Sequence, residues 1–481
     1  MTKEFIVAIE LGSSRMTGIA GKKNLDGSIS VLAVVSEDAT SCIRKGIVYN
    51  IDKTAQCLTN IIKKLETTVQ NKIAYAYIGV GGQSIRSVRN NIVKDMPKAT
   101  IVTQEMVDEL MDANRTMAYP DQEILNAATQ EYKVDSQFQL DPVGIECTRL
   151  EGNFLNILWR KAFYRNLNNC LKNANIAIAD MYLAPLALAD SVLTEAEKRS
   201  GCVLVDLGAD TTTVSVYHKN ILRHLAVIPL GGNNITKDIA SLQMEEMDAE
   251  RMKLKYGNAF TDNSEIDATL KYSIDADRQI ESRKFIEIVE GRLEEIIANV
   301  WFQVPNEYLD KLLGGLIITG GGSNMPNIEQ AFRNHTHIDK IRIAHFVTGT
   351  IDSTLPEIVA HDGRMNTVLG LLAKGEMNCA GSELNNDLFG EDQNAGGTPD
   401  IHRQPRPMGE IDAQGIVITD TEKQKVEEER KRIEAEEAEE ARRAAEEIER
   451  REAEERKQNS PMRKLWRGLK NFGTKMIEEE E

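Results

Sequence analysis

Two short segments of this chain carry the same groups in the same order. The first is Val7-Ala8-Ile9-Glu10-Leu11-Gly12-Ser13-Ser14, followed by the apolar-rich run Met16 to Ala20. The second is Val203-Leu204-Val205-Asp206-Leu207-Gly208-Ala209-Asp210-Thr211-Thr212-Thr213, followed by Val214 to Tyr217. Each reads as a strand, a carboxylate, an apolar residue, a glycine, small hydroxyl residues and a second strand. In such a hairpin the glycine lets backbone N–H groups come close to phosphate oxygens, and hydroxyls add donors. The carboxylate at the strand end can hold the water shell of Mg²⁺. One hairpin of this kind is common among ordinary β-turns; a second copy in the same chain is harder to dismiss.

Three further patterns belong with them. Leu316 to Thr319 reads as a buried strand that runs into Gly320-Gly321-Gly322-Ser323-Asn324-Met325-Pro326, then a capped helix with Ile328, Ala331 and Phe332 on its apolar face. Backbone without side chains can lie flat against a base or ribose, although a glycine-rich turn alone would be an ordinary strand–helix connection. Glu250 and Lys253 sit at i,i+3, which places a carboxylate and an ammonium on one helix face; taken alone the pair reads as solvated. Pro229-Leu230-Gly231-Gly232 ends a strand before another helix.

The elements that must position these groups alternate strand and helix. Phe5 to Ile9, Ile29 to Val35, Ala74 to Val80, Cys202 to Leu207 and Gly315 to Thr319 read as strands, and Lys53 to Thr67 carries Ala55, Leu58, Ile61, Ile62 and Leu65 at helical spacing. The chain has 481 residues and 41% hydrophobic content, enough for more than one core. A net charge of −17 argues against general nucleic-acid binding. The six cysteines form no CxxC pair and read as small buried thiols in a reducing compartment. The start of the chain shows no secretory leader pattern, and no run reaches the ~18 apolar residues of a spanning helix.

Composition changes after about Gly375. A Gly-, Asn-, Asp- and Pro-rich stretch reads as a linker. Thr421 to Lys457 is nearly all Glu, Arg, Lys and Ala, with acid-first i,i+4 pairs such as Glu427–Lys431 and Glu446–Arg450 and no heptad. As a helix it would span roughly 55 Å. After Pro461, the apolar Met462, Leu465, Trp466, Leu469, Phe472 and Met476 recur at helical spacing, while Arg463, Lys464, Arg467, Lys470 and Lys475 lie mostly off that stripe. A basic amphipathic helix with aromatic residues, separated from the body by a hydrophilic spacer, fits insertion into an anionic membrane interface better than packing on the body or on a partner helix. The closing Glu478 to Glu481 has no explanation in this scheme.

In this order the segments resemble the nucleotide fingerprint of the actin, Hsp70 and sugar-kinase superfamily, with phosphate-1 and phosphate-2 hairpins and an adenosine motif; Met181 to Ala187 resembles its first connecting helix. Within it, Leu230 to Ala240, Glu250 to Gly257 and the basic tail resemble the FtsA family of actin-like cell-division proteins. The resemblance implies an α/β, actin-like (RNase H-like) two-lobed ATPase fold. Its subdomain 1A covers 1–84 and 167–200, with an inserted 1C at 85–166 used for subunit contacts. Subdomain 2A covers 201–235 and 305–376 including the closing helix, and 2B covers 236–304. A flexible linker (377–420), a charged helix (421–460) and a membrane-targeting tail (461–481) follow.

The same resemblance implies ATP with Mg²⁺ as ligands. Gly12, Ser13, Ser14, Gly208, Thr211, Thr212, Gly231, Gly232, Glu250, Lys253, Gly320, Gly321, Gly322 and Asn324 would touch the nucleotide, and Glu10 and Asp206 would position the metal's water. The implied partners are FtsZ through its C-terminal peptide on 2B, further copies of the chain in a filament, anionic lipid and downstream division proteins, at the cytoplasmic face of the cell membrane at the division site. Three positions depart from the superfamily pattern: Glu10 for an Asp, Asp210 where Gly is frequent, and Ala184 where a Glu often positions the attacking water. ATP binding with at most weak ATPase activity follows. The alternatives are a metabolite kinase, for which no motif supplies a catalytic carboxylate, and an Hsp70-like chaperone, which residues 377–481 cannot complete.

Overall fold

The computed structural model describes residues 4–380 apart from 265, 268 and 276. The charged helix, the amphipathic tail and nearly all of the expected linker lie outside these residues. Cys379 is fully buried, its N–H donates to the Phe5 carbonyl (2.8 Å), and Ala380 bridges to Ile73. The body therefore keeps hold of the chain four residues into the stretch expected to be linker.

Two sheets share one plan. The first has the order Ala177–Leu183, Tyr75–Val80, Ile6–Leu11, Arg15–Lys23, Ile29–Asp38, closed by the short Ile351–Asp352. The second begins Ile341–Ile343, Gly315–Thr319, Cys202–Leu207, Thr212–His218, Ile221–Ile228. In each, a central strand pairs in parallel on one side and with its own hairpin partner on the other. The central strands Ile6–Leu11 and Cys202–Leu207 are apolar without alternation because both of their faces are covered. Each ends on its carboxylate and one buried leucine.

The second sheet continues into Arg86–Ile101, Glu146–Arg160, Gln122–Val134 and Gln137–Gln139, strands that the chain inserts after Val80. The junction is a single pair, Ala226 with Arg86, reinforced by Ser87, whose hydroxyl donates to the Leu225 carbonyl (2.9 Å) and accepts from the Leu225 N–H (2.8 Å). This inserted subdomain has a core of its own around Val102, Leu110, Tyr132, Leu150 and Phe154. A buried amide pair, Asn114 with Asn156, exchanges two hydrogen bonds there (2.7 and 2.9 Å).

Two helices join the lobes, Ala184–Val192 and Asn366–Lys374. They cross where Gly370 leaves no room: a Cβ there would lie 2.5 Å from the Ala187 carbonyl oxygen. Asp190, on the first helix, accepts from both Lys198 (2.7 Å) and Lys374 (2.6 Å), tying the two crossings together. The segment Met181 to Ala187, expected wholly as the start of a helix, is strand to Leu183 and helix from Ala184, because Met181–Leu183 still pairs with Ile78–Val80. Five of the six thiols, those of Cys42, Cys147, Cys170, Cys202 and Cys379, are packed in the cores. Among the described residues no helix is long and apolar enough to cross a membrane.

Gly370→Val should cost about 2–3 kcal/mol of stability in denaturant unfolding, since a backbone oxygen cannot move aside as a side chain can. Gly291→Ala, in the helix Ser282–Phe302 with no neighbour within 4 Å of the new methyl, should instead stabilise by about 0.5–1 kcal/mol. Equal effects at the two sites would show that the helix crossing does not hold the lobes.

Candidate functional site

The two hairpins match in their strand pairing. Leu11 pairs with Met16 and Leu207 with Thr212, so each turn holds four residues, 12–15 and 208–211. A Cβ on Gly12 would lie 2.5 Å from the Arg15 carbonyl oxygen, and one on Gly208 would lie 2.7 Å from that of Thr211. Glycine is therefore demanded by the tightness of each turn before any ligand is considered. Among the described residues, no acceptor takes the backbone N–H groups of Ser13, Ser14, Ala209 or Asp210.

Glu10 and Asp206 occupy the same place in their hairpins, opposite Thr17 and Thr213. They are close enough to sense each other. Burial, and secondarily the charge of Asp206, pushes the Glu10 carboxyl up to about 8. Burial raises Asp206 to about 6. Two carboxylates in this position repel, and a divalent cation between them would relieve both.

Gly231 and Gly232 brace the second hairpin. Gly232 N–H donates to the Gly208 carbonyl (3.0 Å) and Asn233 N–H to that of Ala209 (2.8 Å). A Cβ on Gly231 would strike the Ala209 oxygen at 2.5 Å. With its carbonyls so used, this loop is left with its N–H groups for the cleft. Glu250 and Lys253 are not a solvated pair. Lys253 is buried and gives its ammonium to Gly232 O (3.0 Å), Thr236 Oγ1 (2.8 Å) and Glu250 (2.6 Å). Lys253 thus ties this helix to the Gly232 turn and holds the half-exposed Glu250 carboxylate.

The three glycines after Thr319 differ. Gly320 has φ +85°, and a Cβ on it would meet Asp206 Oδ1 at 2.3 Å; on Gly322 a Cβ would meet Leu207 Cβ at 2.9 Å. Both are required by packing against the second hairpin. Gly321 is not: its nearest neighbour would be the Arg364 side chain at 3.6 Å. A Cβ on Gly321 would only touch the Arg364 side chain, so packing within the protein does not demand glycine there. The residues after the glycines form a 3-10 turn, Gly321–Asn324, and the helix Ile328–Thr336 starts without a side-chain cap, contrary to expectation. Asn324 instead donates to Gly321 O (3.2 Å) and Asp362 O (2.7 Å), fastening the Arg364 loop over the glycines.

Thr212 also departs from its expected role. It is fully buried and its hydroxyl donates to Leu230 O (2.9 Å), away from the cleft, because it already lies in the strand. Ser13 accepts from the Gly46 N–H (2.8 Å). That bond brings in residues the sequence did not nominate, the Lys45–Gly46 turn, together with Asn233 and Arg364. Gly46 and Gly82, far apart in the chain, stack backbone to backbone: a Cβ on Gly82 would lie 2.5 Å from Gly46 O. Only Gly81-Gly82 at a strand end hinted at a close approach, and its partner had no local signal.

Backbone donors at two hairpins, a repelling carboxylate pair and a glycine that packing does not demand fit a magnesium-bound nucleotide. The duplicated sheets, the two crossing helices and the cleft at the strand ends define an actin-like protein; the fold is shared with a chain of the PilM–PilN type IV pilus biogenesis complex, at TM-score 0.53 and 15% identity over 76% of this chain and 97% of that one. Residues 203–360 match the family model of the cell division protein FtsA, and residues 82–158 match that of the SHS2 domain inserted in FtsA. The cell division protein FtsA of Porphyromonas gingivalis is 30% identical over 332 residues, covering 68% of this chain and 69% of its own. That of Neisseria meningitidis is 30% identical over 334 residues (68% and 80%), and that of Pseudomonas aeruginosa 27% over 400 (80% and 94%). The chain belongs to the FtsA family of cell-division proteins. The kinase and chaperone alternatives give way to this assignment.

The carboxylate pair predicts a pH dependence. Glu10 ionises near 4.5 when unfolded and near 8 when folded, so between those values the folded state holds the extra proton. Stability without nucleotide or divalent cation should therefore fall as pH rises through that window. Asp206 acts with the same sign between 3.8 and about 6. Glu10→Gln should flatten the fall in thermal unfolding followed from about pH 5 to about pH 8.5. An unchanged slope would mean that folding does not raise the Glu10 carboxyl.

Proposed function

We propose that the chain is a nucleotide-switched tether that joins FtsZ filaments to the cytoplasmic face of the cell membrane at the division site. The observation that carries the reading is the matched strand pairing and turn length of the two hairpins, one from each sheet, with the carboxylates Glu10 and Asp206 at the same place in each. ATP sits between them. Ser13, Ser14, Ala209 and Thr211 would donate to phosphates, the base would lie against the Gly321 backbone with the Arg364 side chain moved aside, and Glu250 would take the ribose hydroxyls. Glu10 and Asp206 orient the water shell of Mg²⁺, which supplies charge neutralisation when bound. Ala184 opens the connecting helix where an acidic residue would orient an attacking water, so ATP serves as a conformational switch more than as fuel.

Polymerisation follows from the actin-like body, with the inserted subdomain as a subunit contact. The FtsZ peptide docks within residues 236–304, where Asp238, Ser241, Ile288 and Arg292 line a shallow pocket between the helices Gly232–Ala240 and Ser282–Phe302. The tail inserts Trp466, Leu469 and Phe472 into lipid, with Met462, Leu465 and Met476 on the same stripe. Burying a large apolar side chain is worth about 1.5–3 kcal/mol, and each basic residue adds up to ~1 kcal/mol at an anionic surface. One tail binds marginally; a filament aligns many and gains avidity. The filament then collects FtsZ and downstream division proteins.

Sedimentation with anionic vesicles and FtsZ tests the reading. The full chain with ATP, or with a non-hydrolysable analogue, should bring FtsZ down with the vesicles. Trp466→Glu should abolish this at every salt concentration, while loss of Arg463 and Lys464 should weaken it mainly on anionic lipid. Vesicle binding by the Trp466→Glu protein would remove the tail as anchor.

A further inference from the structure

The tip of the second hairpin carries a carboxylate where backbone N–H groups are wanted. Asp210 Oδ2 accepts from the Lys45 backbone N–H at 3.2 Å, and Oδ1 accepts from Asn233 Nδ2 at 2.8 Å. The two donors come from different lobes. Lys45 lies at φ +51° in the turn between Ile43–Arg44 and Ile47–Val48, which packs with the first sheet. Asn233 lies in the first turn of Gly232–Ala240, on the second.

The Lys45 turn is held in place: its carbonyl accepts from Gln83 N–H (3.0 Å), the neighbouring Gly46 N–H is held by Ser13 Oγ (2.8 Å), and Gly46 is pressed on Gly82. The backbone of Asn233 is fixed by its N–H on Ala209 O (2.8 Å). A backbone donor from one lobe and a side-chain donor from the other therefore converge on one carboxylate at the point where the lobes meet. Gly320 lies against Asp206 and Leu207 at the root of this hairpin, so a nucleotide with its base over the glycines runs its phosphates from the root toward the tip. The last phosphate arrives where Asp210 stands.

We propose that Asp210 is a latch across the cleft. Its carboxylate holds the donors that a terminal phosphate would use, joins the lobes through Lys45 and Asn233, and must swing aside for a nucleoside triphosphate but not for a diphosphate. This rests on the nucleotide reading of the cleft. The consequence is selectivity: the chain binds ATP more weakly, relative to ADP, than the same cleft without the carboxylate. A charged hydrogen-bond acceptor that both occupies the site and repels the incoming phosphate sets the scale of the effect at about tenfold.

Calorimetry on the full chain with Mg²⁺ and either ATP or ADP tests this, together with hydrogen exchange of residues 43–48 without nucleotide. Asp210→Asn removes the charge and keeps an acceptor; Asp210→Gly removes both. Both variants should tighten ATP about tenfold and leave ADP within about twofold. Only Asp210→Gly should speed exchange at the Lys45 amide, by about tenfold. If the unsubstituted chain binds ATP but the variants shift ATP and ADP alike, or weaken ATP, the latch is wrong and the nucleotide reading stands. If the unsubstituted chain binds neither nucleotide, the cleft reading fails and the latch falls with it, whatever the exchange shows.

Discussion

Glu10 and Asp206 end strands that belong to different sheets, yet they share one electrostatic environment. Burial raises both carboxyls, and the charge of Asp206 adds to the rise at Glu10. Such a pair is expensive to keep unless something positive comes between its members. The geometry that brings them together is specific: two four-residue turns, each with a glycine that no other residue could replace, each preceded by one covered strand. The rest of the body serves that juxtaposition. The helices crossing at Gly370 and the Asp190 ion pairs fix the lobes, and the Gly231–Gly232 turn and Lys253 fix the second loop.

What the sequence made legible was whatever is local. Period-2 and uninterrupted apolar runs located Cys202–Leu207 and Gly315–Thr319 to the residue, and helical spacing located the helix that spans Ile51–Val69. The two hairpins were legible because each carries its own glycine, hydroxyls and carboxylate within a few residues. Thr212 looked equal to Thr211, but strand alternation turns it inward to Leu230. Lys253 and Asn324, expected to touch the nucleotide, bond within the protein, Lys253 to Gly232 O, Thr236 and Glu250 and Asn324 to Gly321 O and Asp362 O, which spacing alone does not show. The Lys45–Gly46 turn and the Arg364 loop left no trace, since each reaches the cleft only by packing against a segment distant in sequence. Local pattern cannot report that two remote glycines will stack.

The inserted subdomain shows the same division between local and distant control. It leaves the chain after a strand of the first sheet, yet its strands extend the second through the single pair Arg86–Ala226. It keeps a core of its own, but Leu155, Ile157, Trp159 and Phe163 pack into the main core of the body, Gln130 donates to the Leu222 carbonyl (2.9 Å), and an Arg89–Glu307 ion pair adds a further tie to the second lobe. The insertion is therefore anchored on the body by packing as well as by its one strand pair.

A crystal structure of the full chain with Mg²⁺ and a non-hydrolysable ATP analogue tests most directly whether one magnesium nucleotide bridges both hairpins and the Gly321 backbone at once, as proposed. The expected result is phosphates between the 12–15 and 208–211 turns, the cation's waters on Glu10 and Asp206, and the base against Gly321. A nucleotide seated on one lobe alone, or a base lying away from Gly321, would contradict it.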